Sequence, residues 1–189
     1  MEIKINTPLT YDKIKDLKSG DTLLLSGVIY TARDAVHKRL IELLDKGLEL
    51  PISIKDETIY YVGPTPAKEG QVIGSAGPTT SYRVDAYSPR LLDLGLKAMI
   101  GKGSRNEEVI DSIIKNKAIY LGAIGGAAAL ISKTIISSEI IAYEDLGAEA
   151  IRRMEVKDMP LTVIIDTKGN NLYKQGQEEY LNFKITKQS

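Results

Sequence analysis

The sequence of 189 residues contains no cysteine and no tryptophan, and it has a single histidine and a single phenylalanine. Without a thiol this chain forms no disulfide and supplies no thiolate ligand to a metal. One histidine also disfavours a zinc or iron site built from this chain alone. If iron takes part in the chemistry, another chain must hold it.

An excess of charge of one sign is also absent, because 25 lysines and arginines balance 25 aspartates and glutamates. Proteins that bind nucleic acid usually carry a basic excess, so we expect no nucleic-acid partner. Any site for an anion must therefore be local.

Long hydrophobic runs are missing as well. The most apolar stretch, YLGAIGGAAALI, is shorter than the roughly 20 residues that span a bilayer. The N-terminal residues MEIKINTPLTYDK contain no apolar core of the signal-peptide kind. We therefore expect a cytoplasmic protein with no membrane partner.

Apolar segments bounded by glycine and proline alternate with segments of helical periodicity. The predicted strands are TLLLSGVIYTA, TIYYVGPTPA, AMIG, AIYLGAI, TIISSEIIAYE and PLTVIIDTKGNNLY. The predicted helices are RDAVHKRLIELLDKG, SPRLLDLGLKA and NEEVIDSIIKN, with a glycine-opened helix or turn at GGAAALISK. This alternation predicts a single α/β domain with a mixed sheet over residues 1–189. The first third is richer in strands, so a small β layer of its own is an alternative there.

Several positions carry signals for the ends of these elements. Ser26-Gly27 predicts a bulge or turn inside the first apolar strand, and Gly47 predicts a helix end. Ser88, followed by proline, and Asn106 are predicted helix caps. The KGN of DTKGNN predicts a tight turn with positive φ.

Three short segments place cations or hydroxyl groups on turns: ARDAVHKR (32–39), GPTTSYR (77–83) and IGKGSR (100–105). Lys102 lies between two glycines, after a predicted strand and before a helix. Open α/β sheets bind ligands at that edge, glycines allow close approach, and helix N-termini favour anions. The alternative is a surface lysine in a flexible loop.

The segment GPTTSYR combines hydroxyls with a guanidinium group. Thr79, Thr80 and Ser81 supply the hydroxyls, and Arg83 supplies a planar fork that suits a carboxylate. The alternative is a polar turn with capping hydroxyls, in which Asp85 simply pairs with Arg83.

The segment ARDAVHKR offers Arg33, Asp34 and His37. The alternative is a solvated helix start, with Asp34 near the first-turn amides and His37 on a polar face. Each signal is weak by itself. Together, three loops that each offer a cation predict a site for a dicarboxylate, which needs several cationic anchors.

The motifs SGVIYTARDAVHKR, GPTTSYRVDAY, IGKGSR and IDTKGNN, in this order, resemble the β subunit of the iron–sulfur hydro-lyases. This family comprises the class I fumarate hydratases and the L-tartrate dehydratases, and the resemblance runs from about Leu9 to Phe183. It implies a swivelling β/β/α fold and a separate, cysteine-bearing α subunit. That partner holds a [4Fe–4S] cluster, the active site lies between the two subunits, and we expect a heterotetramer or larger assembly.

The resemblance also implies roles for individual residues. Arg33, Arg83 and Lys102 would bind the carboxylates of the substrate, and Lys102 would also take part in catalysis. Thr79 would transfer a proton together with an aspartate from the α subunit. Supporting positions in the same motifs are Asp34, His37, Thr80 and Gly101.

The motifs leave the substrate open. Fumarate hydratase motifs are similar to GPTTAGRMD and KGNR, whereas Tyr82 precedes Arg83 here and Ser104 stands where asparagine is expected. Ser81 is closer to the tartrate dehydratase pattern GPTTSMRME, but Asp85 matches the fumarase pattern. We expect reversible hydration of fumarate to (S)-malate. The alternatives are an L-tartrate dehydratase β subunit, with Ser81 or Tyr82 meeting the extra hydroxyl, or a non-catalytic assembly subunit that binds organic anions.

Overall fold

The structure is a computed structural model that describes residues 2–123, 128–177 and 180. Its strands are β1 (Glu2–Asn6), β2 (Thr22–Thr31), β3 (Thr58–Tyr60), β4 (Ala98–Gly101), β5 (Ile119–Ala123), β6 (Ile135–Ala142) and β7 (Ile151–Ile165). Its helices are α1 (Tyr11–Ile14), α2 (Asp34–Asp45), α3 (Ser88–Asp93), α4 (Glu107–Asn116) and α5 (Ala128–Thr134). Two 3-10 turns span Ser81–Val84 and Glu144–Glu149, and residues 172–177 are helical.

All seven strands belong to one mixed sheet, in the order β1-β2-β3-β4-β5-β7-β6. Strands β1 to β5 pair in parallel, whereas β7 runs antiparallel to β2, β5 and β6. Because β7 pairs with both β2 and β5, strands β2, β3, β4, β5 and β7 form a closed ring. The predicted α/β fold with a mixed sheet is confirmed. The alternative of a separate β layer in the first third is wrong, because β2 is a central member of this ring.

Successive side chains of each strand lie on opposite faces of the sheet, so they pack into two different apolar cores. In β4, Ala98 and Ile100 join the cluster enclosed by the strands. Met99, between them, joins a second cluster in which the sheet packs against α2, α3 and α4. In β3 and just beyond it, Tyr60 faces the first cluster and Tyr61 the second. The helices therefore cover the outside of the ring.

The predicted interruptions of β2 and α2 are confirmed. The register of β2 against β7 shifts between Leu25 and Gly27, and Gly27 has a φ of 111°. Helix α2 ends at Asp45, and Gly47 follows with a φ of 66°. In the DTKGNN turn, Gly169 has the predicted positive φ, at 84°.

The two predicted caps differ in outcome. The Asn106 side chain accepts a hydrogen bond from the Val109 amide at 2.9 Å, so its role as the cap of α4 is confirmed. The Ser88 cap is wrong, because α3 begins at Ser88 itself and Tyr87 occupies the N-cap. The Ser88 hydroxyl instead donates to the Val84 carbonyl at 2.9 Å.

The glycine-opened element is described only in part. Helix α5 (Ala128–Thr134) matches its second half, while residues 125–127 lie outside the described residues. No helix within the described residues combines the length and the apolar character needed to cross a membrane.

Candidate functional site

The three predicted loops leave the sheet at the same edge. The register pairs Thr31 with Tyr60, and Tyr60 with Ile100, so the carboxyl ends of β2, β3 and β4 are in line. The pairing continues past the strands, because the Ala32 amide donates to the Tyr60 carbonyl at 3.1 Å and the Tyr61 amide donates to the Ile100 carbonyl at 2.8 Å. The segments that carry Arg33 and Lys102 therefore begin side by side.

The GPTT segment lies against this edge and is hydrogen-bonded to it. The backbone amide and the hydroxyl of Thr79 both donate to the Tyr61 carbonyl, at 2.7 and 3.0 Å. Thr80 forms an isolated parallel bridge with Lys102, and the Ser81 amide donates to the Lys102 carbonyl at 3.0 Å. The backbones of Thr80 and Lys102, two residues that the sequence singles out, are thus paired directly.

Arg33 reaches across the segment that follows β3. A Cβ added to Gly63 would lie 2.8 Å from Arg33 Nη1, so the guanidinium passes directly over this glycine. Nη2 lies 3.1 Å from the Glu149 carboxylate, and Nε lies 3.9 Å from that of Asp34. Nε is buried and has no hydrogen-bond partner among the described residues. Arg33 is thus paired with two acids, while its Nε makes no hydrogen bond with a described residue.

Arg83 and Lys102 are both exposed, and neither side chain forms a hydrogen bond or an ion pair with another described residue. The alternative in which Asp85 pairs with Arg83 is wrong. Asp85 is buried and accepts instead from Arg105 Nε at 2.6 Å. The guanidinium of Arg83 and the ammonium of Lys102 are thus left to an outside anion.

Arg105 is a residue that the sequence reasoning missed. Its guanidinium is fully buried, donates to Asp85, and donates through Nη2 to the Ser88 hydroxyl at 2.7 Å. The second oxygen of Asp85 accepts from the Asn106 amide at 2.8 Å. Arg105 stands in the quoted motif IGKGSR, but nothing in the sequence pairs it with an acid 20 positions earlier.

His37 is fully buried, so the alternative that placed it on a polar helix face is wrong. Its Nδ1 lies 2.9 Å from the Arg33 carbonyl, which can only accept, so the neutral ring carries its proton there. Burial lowers the pKa of His37 to about 4. The ring meets the Tyr61 ring edge to face at 5.4 Å. His37 therefore anchors the backbone of Arg33 as a neutral donor.

The remaining supporting positions differ in what they do. Gly101 is required by packing, because an added Cβ would overlap the Ser81 hydroxyl and lie 2.9 Å from Tyr61 Cδ2. Asp34 is the first residue of α2, where its charge suits the helix N-terminus. Thr80 is the N-cap of the 3-10 turn that carries Arg83.

A groove of about 740 Å³ borders this edge of the sheet at Gly103 and Ser104 and continues along Leu172 and Tyr173. The residues that line this groove do not include Thr79, Arg83 or Lys102. The exposed side chains of Arg83 and Lys102 therefore lie outside it.

The donor set does not fit an iron–sulfur cluster held by this chain. The sequence has no cysteine. Among residues 2–123, 128–177 and 180, no three histidines, aspartates or glutamates cluster closely enough to hold a metal ion.

A family model described as "Fumarase C-terminus" matches residues 1–176. The chain belongs to this family. The resemblance that the motifs predicted is therefore confirmed, and the chain is a fumarase C-terminal or β-type unit of a family of hydro-lyases.

Relatives of two architectures match this fumarase C-terminal unit. "Fumarate hydratase class I, anaerobic" of Escherichia coli (strain K12) is 44% identical over 179 residues, which are 93% of this chain and 33% of that protein. "Fumarate hydratase 2" of Leishmania major is 36% identical, over 92% of this chain and 32% of that protein. The chain thus spans about a third of the length of these fumarate hydratases.

A third relative has a length similar to that of this chain. The "Putative L(+)-tartrate dehydratase subunit beta" of Methanocaldococcus jannaschii is 35% identical, over 93% of this chain and 92% of that protein.

Proposed function

We propose that this chain is the β subunit of a two-subunit fumarate hydratase, which converts fumarate and water reversibly to (S)-malate. One observation carries the proposal. Two exposed cations that have no partner among the described residues, Arg83 and Lys102, lie in segments that are hydrogen-bonded to each other, at the sheet edge where the segment of Arg33 also begins. A dicarboxylate satisfies such a set of donors better than a single anion does.

Within this proposal the arginines hold the substrate carboxylates. Arg83 offers its planar fork, and Arg33 would bind through its guanidinium group next to Gly63. Removal of a proton next to a carboxylate shifts negative charge onto that carboxylate. Cations fixed before the reaction stabilise this charge most strongly where water is excluded.

In this proposal Thr79 and Lys102 take part in proton transfer. The Thr79 hydroxyl donates a hydrogen bond to the Tyr61 carbonyl, which leaves the lone pairs of its oxygen able to accept. A threonine hydroxyl is a poor base in water, and we assign to Lys102, in the segment that is paired with Thr80, the stabilisation of the negative charge that develops when a proton is taken. Asp34, His37, Thr80 and Gly101 keep their supporting roles through the contacts described above.

We assign the remaining parts to a partner. This chain cannot supply thiolates, so a cysteine-bearing α subunit would hold the [4Fe–4S] cluster and cover the exposed side chains of Arg83 and Lys102. We take residues 1–189 as one β-type domain and the complex as a cytoplasmic heterotetramer or larger assembly. The relative that matches over 92% of its length is itself called a subunit β, which supports this division.

The same relative favours a second candidate, an L-tartrate dehydratase β subunit. The extra hydroxyl of tartrate would need a polar partner. Ser81 is buried, and its hydroxyl already contacts the Tyr120 hydroxyl at 2.8 Å, so it is a poor choice. Tyr82 is 64% exposed in the same turn and is the better one.

The test is turnover by the two-chain complex. The chain is co-expressed with a candidate cysteine-bearing partner, the cluster is reconstituted without oxygen, and fumarate absorbance is followed with malate. The same complex is then assayed with L-tartrate by following its keto-acid product. We expect a higher kcat/KM for malate. A preference for tartrate would establish the second candidate, and binding of dicarboxylates without any turnover would indicate the assembly-subunit alternative.

A further inference from the structure

The Tyr120 side chain joins the two loops that carry Arg83 and Lys102. Its hydroxyl lies 2.9 Å from the Gly103 carbonyl and 2.8 Å from the Ser81 hydroxyl. A carbonyl only accepts, so the single phenol proton goes to Gly103. Ser81 must then donate to the phenol oxygen. The arrangement has one assignment of protons, and burial raises the pKa of Tyr120, which keeps the phenol proton in place.

The two contacts flank the residues that would hold the substrate. Ser81 begins the 3-10 turn Ser81–Val84, which contains Arg83. Gly103 directly follows Lys102, whose carbonyl accepts from the Ser81 amide at 3.0 Å. Gly101 leaves the space that the Ser81 hydroxyl occupies. The hydrogen bonds of the phenol and this backbone hydrogen bond therefore connect the segment of Ser81 to the segment of Lys102 and Gly103 at two points.

The buried Arg105 side chain forms a cation–π contact with the Tyr120 ring. The Arg105 guanidinium carbon lies 5.0 Å from the centre of that ring and 5.5 Å from the centre of the Tyr61 ring. Asp85, at the end of the turn that carries Arg83, holds Arg105 through Nε. Polar networks in a core rigidify it when their donors are satisfied, as the phenol, Ser81 and Arg105 are here.

We propose that the Tyr120 hydroxyl is a positioning group, which sets the spacing between Arg83 and Lys102. The proposal rests on the proposed function, in which these two cations hold one dicarboxylate. Neither cation has a partner among the described residues, so only the loops determine where they lie. The carboxylates of a substrate are separated by a fixed distance. A displacement of about 1 Å between groups that position a substrate costs as much as 10²-fold in rate.

The experiment compares Tyr120→Phe, Ser81→Ala and the double variant in the two-chain complex. Each single change removes the hydrogen bond between Ser81 and Tyr120, and neither touches a group that would contact the substrate. We expect kcat/KM for malate to fall about 10-fold to 100-fold in each single variant. The double variant should match Tyr120→Phe within about twofold, because Tyr120→Phe removes the bonds of the phenol to both Ser81 and Gly103, including the bond that Ser81→Ala removes.

The matched control is Tyr143→Phe. The Tyr143 hydroxyl is buried, has no hydrogen-bond partner among the described residues, and lies outside the proposed site. We expect its kcat/KM to equal that of the wild type. The thermal unfolding midpoint of every variant is measured as well, and rates are expressed per folded complex. A change in folding alone would therefore not produce the expected pattern.

The outcomes distinguish the positioning role of Tyr120 from the proposed function of the chain. Wild-type kinetics for Tyr120→Phe in an active complex would overturn the positioning role and leave the proposed function standing. Losses that add in the double variant would also overturn it, since the two hydroxyls would then act independently. A wild-type complex that turns over neither malate nor tartrate would refute the proposed function and this inference with it.

Discussion

At Arg83 a single substitution separates the effect of positive charge from the effect of side-chain geometry. Arg83→Lys keeps the positive charge but loses the planar fork that grips a carboxylate with two parallel bonds. We expect kcat/KM for malate to fall about 10²-fold, at the lower end of the roughly 10²- to 10³-fold range for loss of one charge-stabilising donor. Steady-state kinetics of the two-chain complex measures the change.

The matched control for Arg83 is Arg90→Lys. Arg90 is also exposed, but it lies on α3 and pairs with Asp45. Its substitution should leave the kinetics unchanged. Equal kinetics for wild type and Arg83→Lys would contradict the carboxylate clamp.

His37 makes stability depend on pH in a defined direction. The pKa of His37 is about 4 in the folded protein, whereas the ordinary value for histidine is 6.5. Between these pH values the unfolded chain therefore binds more protons than the folded chain. Stability from this group is therefore complete above about pH 6.5 and is lost as the pH falls toward 4. The loss amounts to roughly 3 kcal/mol at 1.36 kcal/mol per pKa unit.

The measurement for His37 is the free energy of unfolding at pH 7 and pH 4.5, by denaturant titration of wild type and His37→Gln. Because carboxylates also titrate in this range, the difference between the two proteins is the informative quantity. The wild type should lose more stability than the variant. Parallel losses in both proteins would show that His37 is not buried in its neutral form.

At the scale of elements, the Asn106 cap begins α4 directly after the loop that carries Lys102. Asn106→Ala removes the acceptor for the Val109 amide and should lower the free energy of unfolding by about 1 kcal/mol. The control is Asn6→Ala, because Asn6 is exposed on β1 and its side chain forms no hydrogen bond with a described residue. Chemical denaturation measures both, and equal stabilities would argue against the cap.

The sequence predicts the local features of these elements well, and the motifs also identify the family. The bulge at Gly27, the cap at Asn106 and the turn at Gly169 each depend on a few neighbouring residues. The site loops are predictable for a related reason, since parallel strands end at a common edge.

Long-range pairing lies beyond what sequence patterns show. The closed ring requires β7 to pair with both β2 and β5, and periodicity does not specify strand partners. The prediction also assigned only residues 160–173 to the last strand, whereas β7 begins at Ile151. The ion pair of Arg105 with Asp85 was missed for the same reason, because burial decides which acid an arginine meets.

The whole molecule resembles one part of a larger catalyst. Its relatives called fumarate hydratase are about three times as long, with this chain covering 33% of the Escherichia coli protein. The side chains of Arg83 and Lys102 are exposed. The account therefore predicts that activity belongs to the assembled complex, with the substrate held from this side by Arg33, Arg83 and Lys102.

The most direct test of this account is the rate at which the two-chain complex forms fumarate from (S)-malate with Lys102→Ala in this chain. The control is Lys133→Ala, an exposed lysine at the end of α5. We predict that Lys102→Ala lowers kcat by about 10²-fold or more while the complex still assembles, and that Lys133→Ala has no effect. Full activity of Lys102→Ala in an assembled complex would contradict the claim that this chain supplies residues to the active site.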